Sequence, residues 1–127
     1  MRTVQLEQLS TRFRRGIVAA LDPETAVALA SWGVGESAYV DFISIDDVLS
    51  DDLEEVGIWD ALNDACGTHI TTYDEEVIQI GQLETAIEVV ETFWSATKWQ
   101  DNRLFLRRLR TLLVDAAKRE MPVFLIL

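Results

Sequence analysis

A mixed α+β domain is the fold class this sequence predicts, and three observations carry it. Apolar residues recur at helical spacing in several segments. Two other segments, SAYVDFISI and VFLIL, are short and rich in β-branched and aromatic residues, as strands are. The 127 residues, 49 % of them hydrophobic, suffice for one packed core and are short for two. The expected order is α α β α β β α α β. About four strands form one sheet and about five helices pack on it, in a single globular domain over residues 1–127.

Each element has its own signal. Leu6, Leu9, Phe13, Ile17 and Ala20/Leu21 follow at helical intervals, so residues 3–21 are expected as a first helix. DPET restarts the chain: Asp22 suits an N-cap, Pro23 the first helical position and Glu24 the positive helix end. That second helix carries Ala26, Val27, Leu29 and Ala30 and stops at Trp32-Gly33, before the loop GVGES. SAYVDFISI is then a strand. Ile45, Val48/Leu49, Leu53, Val56, Trp59, Leu62 and Cys66 track one helical face. Asp52 falls near that stripe, which predicts a break at Ser50-Asp51 and a helix over 52–66, capped by Gly67. THITTYDEEVIQI is expected as a hairpin turning near Asp74-Glu75. Leu83, Ala86, Ile87, Val90 and Phe93/Trp94 make the next helix, and Asp101 is expected to cap the last one. Its buried stripe is Phe105/Leu106, Leu109, Leu112/Leu113 and Ala116/Ala117. VFLIL closes the chain as a strand buried on both faces.

Charge is distributed unevenly. The net charge is −11, the wrong sign for a nucleic-acid binder or for an acidic membrane surface. Between Gly16 and Thr97 there is no Lys or Arg, while 18 of the 22 acids lie there. The remaining 4 acids and all 11 basic residues are in the two ends, so the middle is −18 and the ends together +7. Either the basic ends fold back over part of the acidic middle, which they cannot neutralise fully, or the middle presents a field that attracts a basic ligand. No apolar run approaches the ~20 residues that span a bilayer. The N-terminus lacks the apolar stretch of a secretory signal, and a lone cysteine fits a reducing compartment, so a cytoplasmic location is expected.

Catalytic and metal signatures are sparse. Cys66 and His69 are the single Cys and the single His, and Cys66 lies on the apolar stripe. A buried, inert thiol is the usual reading of such a position. One His and one Cys cannot supply a structural zinc site. DDVLSDDLEE lacks the alternating Asp/Asn pattern and central Gly of a calcium loop. GVGES lacks the Lys of a phosphate-cradling loop. No enzyme, cofactor or metal is expected.

The densest acidic stretch is IDDVLSDDLEEVGIWDALND, with Asp46, Asp47, Asp51, Asp52, Glu54, Glu55, Asp60 and Asp64. Capping accounts for some of these: Ser44 with Asp47 and Asp51 with Glu54 match capping boxes. Capping does not account for Asp60 and Asp64, nor for the absence of interspersed Lys that exposed helices favour. Tyr73, Asp74, Glu75 and Glu76 form a second candidate patch at the expected turn. Glu84, Glu88 and Glu91 share a spacing with Arg103, Arg107 and Arg110, and two antiparallel helices would set these stripes side by side. Trp99, in the polar segment TKWQDN, is an additional candidate anchor for a partner.

In character the whole chain resembles the small acidic immunity proteins that bacteria use against their own secreted toxins, including those of contact-dependent growth inhibition systems. ITTYDEEVIQIGQLETAIEVVE, a segment read as a hairpin feeding a helix, has the flavour of such families. The resemblance implies a tight complex with a basic toxin domain, such as a nuclease, whose active site is covered. A homo-oligomeric interaction module, built on VFLIL or the Trp99 region, is the competing expectation.

Overall fold

The computed structural model describes residues 2–5, 16–24, 27, 39–71, 75–96 and 100–127. Its strands are β1 (Arg2–Gln5), β2 (Gly16–Ala20), β3 (Tyr39–Ser44), β4 (Glu75–Ile78) and β5 (Val123–Ile126). Four helices lie among the described residues: α1 (Asp47–Val56), α2 (Ile58–Cys66), α3 (Leu83–Ala96) and α4 (Gln100–Arg119). A single 3-10 turn, Ile80–Gln82, leads into α3. Pro23, Glu24 and Val27 are helical, as the DPET signal implies. The rest of that second helix, the loop at 33–37 and the expected turn residues Tyr73 and Asp74 lie outside the described residues.

The class is mixed α+β, as expected, but the sheet has five strands in the order β1-β3-β2-β5-β4. Every neighbouring pair is antiparallel. Two unexpected strands, β1 and β2, correct the expectation of one helix over 3–21, because they occupy parts of that range. Ile17, Val18, Ala19 and Ala20 are all fully buried. Such a four-residue apolar run fits a helix period only by being apolar throughout, and it suits a strand covered on both faces equally well.

Alternation divides the sheet into two apolar faces. Ile17 and Ala19 of β2, Ile43 of β3 and Val123 and Leu125 of β5 join the core that also holds Leu53, Leu62, Val90, Leu109 and Leu113 from the helices. The opposite face gathers Val18, Ala20, Val40, Phe42 and Phe124, all buried. VFLIL is thus an interior strand, paired on both sides with β2 and β4. Its Val123, Phe124 and Leu125 side chains are buried, while Ile126 is half-buried.

The expected hairpin is also corrected. Among the described residues β4 pairs with β5, and residues 67–71 are not a strand. Their backbone groups are held by side chains instead of by a ladder. Asn63 Oδ1 accepts from Ile70 N at 2.6 Å and from the Thr68 hydroxyl at 2.8 Å, and Asn63 Nδ2 donates to Ile70 O at 3.0 Å. Glu76 Oε2 accepts from His69 N at 2.6 Å.

α3 and α4 form the expected antiparallel pair on the sheet. Helix α4 carries its predicted stripe inward, with Phe105, Leu106, Leu109, Leu112, Leu113 and Ala116 buried. The helix already begins at Gln100, so Asp101 lies inside it and is not its cap. At the far end, Arg119 Nη1 meets Asp41 Oδ2 at 3.1 Å and ties α4 to β3. Asn102, near the start of α4, is buried, and among the described residues both polar atoms of its amide lack a hydrogen-bond partner. A buried orphan amide costs about 1–3 kcal/mol, so Asn102→Leu, of similar shape, is expected to raise stability by about 1 kcal/mol or more in urea unfolding. A loss of stability would show that the amide finds a partner in solution.

Candidate functional site

The acidic stretch folds into two helices that meet at Gly57. Asp46 is the N-cap of α1, and its carboxylate accepts from Leu49 N at 2.8 Å. The capping role thus falls to Asp46, not to the expected Ser44–Asp47 box. The helix continues through Ser50, which is buried, so no break occurs at Ser50-Asp51. The break comes at Gly57, whose φ of 81° is left-handed and whose N–H reaches back to the carbonyls of Leu53 and Glu54. Glycine adopts that conformation without the steric penalty of a Cβ. The chain then turns into α2, which ends at Gly67 in the same left-handed state, φ 69°, as its sequence signal implies.

Leu53, Ile58, Trp59, Leu62 and Cys66 anchor the two helices to the core. The carboxylates face the other way. Asp47, Asp51, Glu54 and Glu55 are exposed along one stripe of α1, and Asp60 and Asp64 are exposed along α2. Neither helix contains a Lys or Arg. Asp51, Glu55, Asp60 and Asp64 form no ion pair among the described residues.

The basic C-terminal helix is partly engaged elsewhere. Of the two facing stripes on α3 and α4, Glu91 and Arg110 make an ion pair at 3.3 Å. Both side chains are about half exposed, so the contact is worth no more than about 1 kcal/mol.

Asp52 is half-buried, and the reason is a groove between α1 and α4. Ile43, Leu49 and Phe105 line it with apolar surface, Asp46 and Asp52 stand on the α1 side, and Arg108 stands on the α4 side. Its volume is about 290 Å³. Val48 and Leu104 also line it, and they are 72 % and 51 % exposed. The periodicity placed Val48 in the buried stripe with Leu49. The structure buries Leu49 further and leaves Val48 exposed at the rim of this groove. Arg108 and Leu104 carried no sequence signal of their own, because only packing of α4 against α1 brings them beside Asp46 and Asp52.

The second candidate patch is divided. Tyr73 and Asp74 lie outside the described residues. Glu75 begins β4, an edge strand of the sheet. Glu76 is half-buried, and its two carboxylate oxygens accept from His69 N and from Val77 N, so this residue braces the preceding loop.

Cys66 is buried, and its thiol lies 3.8 Å from Gln82 O. Burial pushes the thiol pKa up, which lowers its thiolate fraction and its nucleophilicity. Trp59 is buried in the core, while Trp99 lies outside the described residues. Among the described residues no group of three or more His, Cys, Asp or Glu is placed to hold a metal ion, and no helix is long and apolar enough to cross a membrane. Comparison with family models, with curated proteins and with solved structures finds no match to this chain.

Proposed function

We propose that this chain is a non-enzymatic binding protein that inhibits a basic partner, in the manner of an immunity protein neutralising a cognate toxin such as a nuclease. The observation that carries the reading is the exposure of Asp47, Asp51, Glu54 and Glu55 on α1 and of Asp60 and Asp64 on α2, two successive helices without a Lys or Arg. Like charges at that density destabilise a helix by a few tenths of a kcal/mol per i,i+4 pair. Asp46 caps α1, and Asp47 and, contrary to the expectation for it, Asp60 lie in first helical turns where acids favour the helix dipole, while Asp51, Asp52, Glu55 and Asp64 lie beyond those turns. A partner that holds phosphates is positive at its active site, so a carboxylate-bearing helix is complementary to it. Occupying that cleft excludes the substrate. Complementary fields also speed encounter, towards ~10⁸–10⁹ M⁻¹s⁻¹ at low salt.

The test is capture at low salt from the native bacterial lysate, with the bound protein identified, purified and assayed. A single stoichiometric partner with a basic domain, released by salt and losing its activity when this chain is added, is the expected result. The variant Asp51→Lys, Asp52→Lys, Glu54→Lys, Glu55→Lys is expected to keep the circular dichroism of the native protein and to lose binding by at least ~10³-fold, since like-charge juxtaposition costs several kcal/mol. Unchanged affinity in that variant refutes the α1 face as the binding surface.

A further inference from the structure

We propose that the groove between α1 and α4 receives one apolar side chain of the basic partner, flanked in the partner by Lys or Arg. This rests on the reading above, that the acidic face binds a basic protein, and it specifies the chemistry of the contact.

Three observations point to this occupant. First, Ile43, Leu49 and Phe105 give the groove an apolar side beside the polar Ser44, Asp46, Asp52 and Arg108, and its volume of about 290 Å³ has room for a large aliphatic or aromatic side chain. Second, the exposed pair Val48 and Leu104 lines the same groove from α1 and α4, giving an apolar approach from both helices. Isolated exposed apolar residues are ordinary, but two on facing elements at one concavity are what a buried anchor of an interface requires. Third, the charges beside that apolar side are unequal. Asp46 and Asp52 line the groove against Arg108, an excess of one acid among its lining residues. An apolar side chain between basic neighbours therefore fits the apolar side and the charges together. An acidic neighbour would meet like charge on the α1 side. Arg108 makes no ion pair among the described residues.

The probes are three capped hexapeptides, KKLFKK, KKAAKK and EELFEE, titrated at low salt into the full chain with methyl and amide signals followed by NMR. KKLFKK is expected to move the methyl signals of Val48, Leu49 and Leu104, and to bind about tenfold or more tightly than KKAAKK, as burial of one large apolar side chain implies. KKAAKK is expected to move only the amides of the exposed acids on α1 and α2. Val48→Gln with Leu104→Gln, both exposed positions that leave the core intact, should bring KKLFKK down to the affinity of KKAAKK. Equal binding of KKLFKK and KKAAKK overturns the groove proposal and leaves the acidic-face reading standing. Equal binding of KKLFKK and EELFEE overturns the basic flanks. If neither basic peptide moves any α1 or α2 signal, the groove and the acidic-face reading both fail.

Discussion

Gly16→Val is expected to leave the protein unfolded at room temperature, and Gly16→Ala to cost about 3 kcal/mol or more. Gly16 opens β2 and pairs with Ser44 of β3. A Cβ at this position would run into the carbonyl oxygen of Ile43 and the ring of Phe42. The ring belongs to the buried far face of the sheet, in one cluster with Val18 and Phe124. The carbonyl is backbone, so relief requires the β2–β3 pair to separate. Domains of this size are stable by about 5–15 kcal/mol, so losing a central strand pair removes most of the margin. Urea unfolding monitored by circular dichroism reads the effect. Gly81→Ala is the control, since open space surrounds that position, and its expected change is within about 1 kcal/mol. A native-like Gly16→Val would mean that β2 lies further from β3 than the structure places it.

Asn63→Ala is expected to destabilise by about 2–4 kcal/mol, the second largest effect of a single side chain here. Its amide makes three hydrogen bonds to the 68–70 segment, two accepted and one donated. Truncation leaves the N–H and C=O of Ile70 without these partners, in a segment whose Ile70 side chain is buried in the core. The loss of satisfied backbone groups, more than the loss of attraction, sets the magnitude. Amide exchange at Ile70 should speed up along with the global loss. His69 N, held by Glu76, should change less, because that contact does not pass through Asn63. Thermal stability within about 0.5 kcal/mol of the native protein would show that water replaces the amide at no cost.

These two positions also mark where local sequence reasoning stops. Helices α3 and α4, and the helical character of 47–66 though not its division, were legible because each apolar stripe is long enough to define a period. The stripe of α4 reads directly as the buried set Phe105, Leu106, Leu109, Leu112, Leu113 and Ala116. Gly67 announced the end of α2, and VFLIL announced a doubly buried strand. Gly16-Ile17-Val18-Ala19-Ala20 was not legible, since a run that is apolar at every position has no period to measure. Its identity as a strand depends on β3 and β5 lying on either side of it. The 68–71 segment was misread for a related reason. Its Thr and Ile suit a strand, yet its hydrogen bonds are claimed by Asn63 and Glu76, one from a helix and one from β4.

The candidate site divides in the same way. Sequence alone determined the charge: eight acids between Ile45 and Asp64 without a Lys or Arg, and a basic surplus confined to the ends. It also determined which side of each helix faces water, because burial of Leu53, Ile58 and Leu62 leaves the acids outward. Only the tertiary structure decided that the helix turns at Gly57 instead of at Ser50, that Val48 points out, and that Leu104 and Arg108 stand across a groove from Asp46 and Asp52. Composition and periodicity are properties of a chain read one element at a time. A groove exists only between elements, and its lining is set by how α4 packs against α1.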